Sequence, residues 1–266
     1  MKKIKLIVTR DTFFKLSPIP SAELSDAEKV SVEAGTEFNV HSYKDMGNHV
    51  KVAFLGAELK GRNTWIAYEG HIELVDENGV KLPGFNNYKP GDRLPEKIDL
   101  LVPWFGQRDN KFKPFGTCNV TCVAMCLYFY GIRPKRAGEQ LEDELFKSVS
   151  NKGWDRHVHD HLRRLCLEYG IHDRFKVDAS WDEVKLHLAN GNPVIYSGKL
   201  THSGHIIVLR GYDATGFWVN DPFGEFFNSG YQNKSGDNLH YSYGLLQQKS
   251  MTGNAKTTWA HFPEKR

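Results

Sequence analysis

Apolar and polar positions alternate with a period of two along the first part of the chain. The stretches KIKLIVTR (3–10), VSVEAGTEFNVHSY (30–43), HVKVAFLG (49–56) and TWIAYEGHIELVD (64–76) are separated by turn residues. That pattern predicts short strands, each with one face in a core, and a small β domain over residues 1–85. From Asp76 to Lys97 the sequence turns rich in Gly, Asn, Pro and Lys, the composition of a linker. Beyond it the period changes. Thr117-Cys118-Asn119 opens an apolar run from Val120 to Tyr130 that stops at Gly131, which predicts a buried helix. GEQLEDELFKSV, DRHVHDHLRRLCLEYG and SWDEVKLHLANG predict three more, the last with Ser180 and Glu183 in capping-box spacing. Pro193 to Tyr196, His205 to Leu209 and Phe217 to Val219 then read as strands. Helices followed by a sheet give an α+β fold for residues 86–266, with Asn228 to Arg266 turn-rich and without an assignable element.

With 40% hydrophobic and 12% aromatic residues in 266, the chain can bury a core in each part. A formal net charge of +3 is far from the basic stripe of a phosphate-binding surface, so nucleic acid is not an expected partner. Up to Leu82 there are 11 Lys+Arg against 12 Asp+Glu, and neither part is a charged tail. The basic start MKKIKLIVTRDTFFK is interrupted by Lys5 and Arg10, too charged for the apolar stretch of a signal peptide, and no membrane-spanning run follows. The expectation is a chain made in the cytoplasm, monomeric, and needing no cofactor. Its cysteines are Cys118, Cys122, Cys126 and Cys166. The first three stack along one helix face, a spacing that suits reduced thiols rather than a disulfide framework.

Cys118 stands at a predicted helix start, where the dipole and unpaired backbone N–H groups favour thiolate. Eighty-seven residues later, His205 leads a β-branched strand, and sixteen further, Asp221 ends the next one. Nucleophile, base and orienter are thus available. His202, in the same Thr-His-Ser-Gly-His loop, competes as base, but the first residue of a strand is held more rigidly. Asp221 precedes Pro222 and could simply open a turn. Cys122 and Cys126 lie deeper on the helix and read as core. The run from Asp155 to His161 invites a metal reading. On a helix His157 and His161 would share a face and His159 would point away, and there is no HExxH glutamate, so a solvated helix face is expected. Ser203 lacks the flanking glycines of a serine-hydrolase elbow.

The stretches VPWFGQRDN, TCNVTCVAMCLYFYG, SGHIIVLRGYD and GFWVNDPFGE, spanning Leu101 to Gly224, resemble papain-like cysteine peptidases of the bacteriocin-leader-processing (double-glycine) type, cysteine peptidase family 39. The resemblance puts the catalytic cysteine, histidine and aspartate on Cys118, His205 and Asp221, and an oxyanion-hole glutamine on Gln107, although Gln232 is also present. The family often has Gly-Pro directly after its cysteine where this chain has Asn119-Val120, a departure that bears on substrate preference. The N-terminal pattern, more loosely, resembles bacterial SH3-like barrels. Such modules beside peptidases of this type imply cleavage of peptidoglycan peptides, as in a lysin acting at the cell wall after release. Leader-peptide cleavage after a double glycine is the alternative enzyme reading. A binding module with a retired active site is the alternative from another class.

Overall fold

Alternation in the first part of the chain becomes an antiparallel sheet because each strand has one face to bury. In the computed structural model, which describes residues 3–46, 49–79, 81–82, 88–227, 229–233 and 235–265, the chain divides into two compact units, 1–95 with 189–191 and 96–188 with 192–266. The boundary expected at 85/86 lies outside the described residues.

In the first unit, β1 (Ile4–Val8), β2 (Thr12–Lys15), β3 (Lys29–Val32), β4 (Glu37–Asp45), β5 (His49–Phe54), β6 (Thr64–Tyr68) and β7 (Ile72–Val75) form one sheet in the order β3-β2-β6-β5-β4-β1-β7. Leu6, Val8, Phe14, Val50, Val52, Trp65 and Leu74 fill its interior. The phenyl rings of Phe38 and Phe54 stack there with centroids 4.2 Å apart. The stretch from Val30 to Tyr43, a single run in the sequence pattern, breaks into β3 and β4 at Gly35. There φ is +85°, a conformation that glycine adopts without a Cβ penalty.

The second unit carries β8 (Ile98–Asp99), α1 (Cys118–Phe129), α2 (Leu141–Asn151), α3 (His159–Glu168), β9 (His172–Ser180), α4 (Trp181–Ala189), β10 (Val194–Gly198), β11 (His205–Tyr212) and β12 (Gly216–Asn220). It continues through β13 (Glu225–Phe227), β14 (Gly230–Asn233), β15 (Leu239–Ser242), α5 (Tyr243–Gln248) and β16 (Thr257–Glu264). Six strands form an antiparallel sheet in the order β15-β12-β11-β10-β16-β9, with β8 added to β11 and β13 paired separately with β14. The mixed α+β class expected from the sequence is what the chain adopts. Two strands come from the helical half all the same, β8 before α1 and β9 between α3 and α4.

Nine of the twelve residues of α1 are buried, so the helix is covered all round rather than on one stripe, and it packs against β11, α2 and α3. Val120, Val123, Met125 and Leu127 join Leu145, Leu165 and Val208 in the core between helices and sheet. The capping box at α4 is made as its spacing requires. Ser180 Oγ accepts from Glu183 N at 3.1 Å, and a Glu183 carboxylate oxygen accepts from Ser180 N at 3.0 Å.

Candidate active site

Cys118 is the first residue of α1, and no side chain caps the Thr117 turn before it, so the helix start presents backbone N–H groups and a partial positive charge to the thiol. The sheet supplies what faces it. His205, the first residue of β11, is 5% exposed, and Asp221, directly after β12, is fully buried. Antiparallel pairing of the two strands, with Val208 opposite Asn220, sets both residues at the same end of the sheet. His205 Nε2 lies 2.8 Å from Asp221 Oδ1, and the imidazole lines the same cleft as the Cys118 thiol and acts on its ionisation. Since Nε2 belongs to Asp221, Nδ1 is the nitrogen left for sulfur.

The three groups shift one another. Burial opposes ionisation of Cys118, but the hydrogen bond and charge of His205 and a bond from the Ile206 N–H outweigh it, holding the thiol below its ordinary range. Burial likewise opposes protonation of His205. The Asp221 charge and hydrogen bond, with Cys118, reverse that and push the imidazole up to about 10. Cys122, Cys126 and Cys166 are fully buried and burial raises them far above the usual thiol range, so they remain protonated. Cys122 Sγ donates to the Ile206 carbonyl at 3.2 Å, one turn below Cys118.

Asp221 is clamped from several sides. Its carboxylate accepts from Phe223 N at 2.9 Å, Tyr231 Oη at 3.0 Å and Tyr241 Oη at 3.2 Å, besides His205. Its carbonyl accepts from the Trp104 indole at 2.8 Å, and its N–H donates to the Gly236 carbonyl at 2.9 Å. A Cβ on Gly236 would stand 1.8 Å from the Asp221 carbonyl oxygen, so only glycine permits this approach. Neither tyrosine had a signal in the sequence. Both lie in the segment from Asn228 onward, and folding rather than spacing brings them to the carboxylate.

Gln107, in a single 3-10 turn over Gln107–Asp109, is 1% exposed and lines the same cleft as Cys118 and His205. Its backbone N–H donates to the Pro222 carbonyl at 2.8 Å and its Nε2 to the Pro114 carbonyl at 2.9 Å, which leaves a second amide hydrogen on Nε2. Of the four residues singled out in the sequence, Gln107, Cys118 and His205 therefore line one cleft of about 460 Å³, and Asp221 lies buried behind His205. His202 is exposed and makes no bond to Asp221. Gln232, on β14, is exposed too. Among the described residues no group of three or more His, Cys, Asp or Glu side chains has a metal-binding arrangement.

The run from Asp155 to His161 differs from the solvated face expected of it. His157 precedes α3 and is exposed, but His159 opens the helix half-buried, its ring stacked on Phe175 with centroids 4.1 Å apart. Its Nδ1 lies 2.9 Å from Nε2 of the buried His261. The alternation of His157, His159 and His161 gave no hint of this because the burying groups arrive from β9 and β16.

A thiol at a helix start, beside an imidazole that a buried carboxylate orients, across a helical layer and an antiparallel sheet, is the equipment of a cysteine peptidase. The chain belongs to the Peptidase_C39 like family, which it matches over residues 99–251, more than half its length. Among solved structures it is similar to a C39-like peptidase from Bacillus anthracis, at 18% identity and a TM-score of 0.48, covering 65% of this chain and 99% of that one. It is also similar to a double glycine motif protease from an AMS/PCAT transporter in complex with the leader peptide, at 14% identity and a TM-score of 0.38, covering 68% of this chain and 100% of that one. A cysteine protease of ragweed pollen in its proform gives 14% identity and a TM-score of 0.46, with 70% of each chain covered. No curated protein matches. No helix among the described residues is long and apolar enough to cross a membrane.

Proposed function

We propose that this cysteine peptidase works through Cys118, His205, Asp221 and Gln107 and that its substrates are peptides of the bacterial cell wall. The Cys118 thiolate attacks the scissile carbonyl, and the developing oxyanion takes hydrogen bonds from the Cys118 N–H and the free Nε2 hydrogen of Gln107. His205, protonated in the resting pair, passes its proton to the leaving amine. Neutral, it then draws a proton from the water that releases the acyl group. Asp221 holds the ring so that Nδ1 faces sulfur, and Tyr231 and Tyr241 hold Asp221. The observation that carries this reading is a thiol at a helix start sharing its cleft with His205, whose ring is bonded to a carboxylate gripped by two tyrosine hydroxyls.

The wall substrate is supported by the company the peptidase keeps. A second compact β unit, with its own core around Trp65, accompanies the catalytic one, and we read residues 1–85 as an SH3-like domain that targets the enzyme to its polymer. Zymography on purified walls, followed by mass spectrometry of the released peptides, tests both parts. Cleared bands and new amino termini within stem or cross-bridge peptides are expected. Intact walls together with cleavage of a leader peptide after Gly-Gly would move the substrate to leader processing. Failure of Cys118 to react with iodoacetamide at mildly acidic pH would make the unit a retired binding module.

A further inference from the structure

A second histidine chain runs from the floor of the catalytic cleft into the core, and the mechanism does not use it. His261 on β16 is 1% exposed and its Nδ1 lies 2.7 Å from Oδ2 of Asp173, which is 4% exposed on β9. Register places the pair side by side, since His261 lies opposite Phe175 in the β16–β9 ladder, two residues from Asp173. The other nitrogen of His261 faces His159 Nδ1 at 2.9 Å. Among the described residues, no protein group takes His159 Nε2, and the His159 ring lines the cleft that also holds Cys118 and His205.

The direction of the hydrogen bonds follows from the buried end. Asp173 can only accept, so it takes the Nδ1–H of His261. His261 Nε2 then accepts the Nδ1–H of His159, which leaves His159 with a lone pair on Nε2 at the cleft. Burial keeps His159 neutral, lowering it to about 4. His261 and His157 act in the same direction, against the opposing pull of Asp173. Behind the lone pair, Asp173 Oδ1 is buried with no partner, so the carboxylate's charge is incompletely satisfied and is projected along the chain. Phe175 stacks on one face of His159, and the Trp259 ring meets it edge-on at 5.4 Å. An acceptor polarised by a buried anion and flanked by aromatic rings suits a cationic donor.

We infer that His159, backed by His261 and Asp173, forms a specificity subsite of the cleft that binds a primary ammonium group of the peptide substrate, as a lysine-like side chain or a free amino terminus. The inference rests on the peptidase reading of Cys118, His205 and Asp221. The substrate ammonium donates to His159 Nε2, and each hydrogen bond behind it points toward Asp173. No proton needs to change owner. His159, His261 and Asp173 are in this sense positioning and binding groups, apart from the reacting atoms.

The test is a synthetic peptide library, carrying lysine, acetyl-lysine or norleucine at each position around the cut and amino termini either free or acetylated, read by mass spectrometry. Wild-type enzyme should cleave the amine-bearing members at one position at least tenfold faster in kcat/KM than their acetyl-lysine, norleucine or N-acetylated counterparts. His159→Phe keeps a ring to stack on Phe175 and removes the acceptor, so the ratio should fall to within about twofold of one. Asp173→Asn should lower the ratio in part, provided its melt remains cooperative. Wild-type cleavage without preference for amines overturns the subsite and leaves the triad standing, as does a ratio that His159→Phe does not change. If Cys118 fails to alkylate and no member is cut, the triad falls and takes the subsite with it. A reactive Cys118 that leaves every library peptide intact overturns the amine-bearing peptide as ligand.

Discussion

The catalytic unit contains two buried histidine–aspartate pairs of nearly equal length, His205–Asp221 at 2.8 Å and His261–Asp173 at 2.7 Å. They differ in what each imidazole meets on its far side. His205 faces a thiol at a helix start, so a proton can move and leave a thiolate beside an imidazolium. His261 faces another imidazole, and the chain stops at a neutral ring. The carboxylates differ correspondingly, because Asp221 accepts from four groups, whereas one oxygen of Asp173 has no partner. A buried His–Asp pair is therefore not in itself a catalytic device. The group at its open end decides whether it moves protons or presents a fixed acceptor.

The harshest way to break that contrast is at the thiol. Cys118→Ala should lower kcat by about 10⁴-fold or more, with an unchanged melting temperature, because among the described residues no other thiol lines the cleft. His205→Ala should come close to the same loss, whereas His202→Ala, at an exposed loop position, should stay within a fewfold in kcat/KM. Full activity in Cys118→Ala would refute the mechanism. Replacing the two carboxylates sharpens the comparison. Asp221→Asn removes the charge that fixes the His205 ring and should cost on the order of 10² to 10⁴ in kcat. Asp173→Asn should leave the pH profile of Cys118 alkylation in place, and a profile that shifts with Asp173 would make the two pairs one system.

That profile carries its own expectation. A lowered thiol and a raised imidazole mean that the ion pair exists over a window that opens below the ordinary thiol value of ~8.5. It closes as His205 loses its proton at about 10. Activity should rise with pH on the acidic limb as Cys118 ionises and fall on the alkaline limb as His205 deprotonates, with iodoacetamide inactivation following the acidic limb. A single limb centred at the free-thiol value would show that no pair forms. The smallest effects are structural. Cys122→Ala and Cys126→Ala should each cost roughly 1 kcal/mol or more from a small core cavity, read as a lower melting temperature with activity per folded molecule retained.

The sequence made the two layers of the catalytic unit and three contact points of the site legible because each rests on local physics. α1 is apolar through its length, α4 is announced by its capping box, and Cys118, His205 and Asp221 each sit at the end of an element the periodicity marks. What stayed hidden is held by distant pairing. β9, HDRFKVDAS, buries few of its residues at the sheet edge and so lacks a clean alternation. β16, TTWAHFPE, lies inside the sheet, yet its His261 and Pro263 argue against a central strand. Tyr231, Tyr241 and the His159 chain were missed for the same reason, since their meaning depends on strands that the pattern could not order. β2, only four residues long, was too short to stand out from the charged start of the chain.

The position of β16 in the sheet also sets an order of assembly. It is threaded between β10 and β9, and its ladder to β9 joins residues 172–180 to 257–264. By contrast, β10, β11 and β12 pair with near neighbours in the chain, and β11 packs directly on α1. Local contacts form before distant ones, because the entropy of closing a long loop must be met before its pairing is gained. The hairpins bearing His205 and Asp221 can thus pair while β10 and β9 still wait with open hydrogen-bonding edges. In that interval the chain lacks protection against joining a neighbouring chain edge to edge.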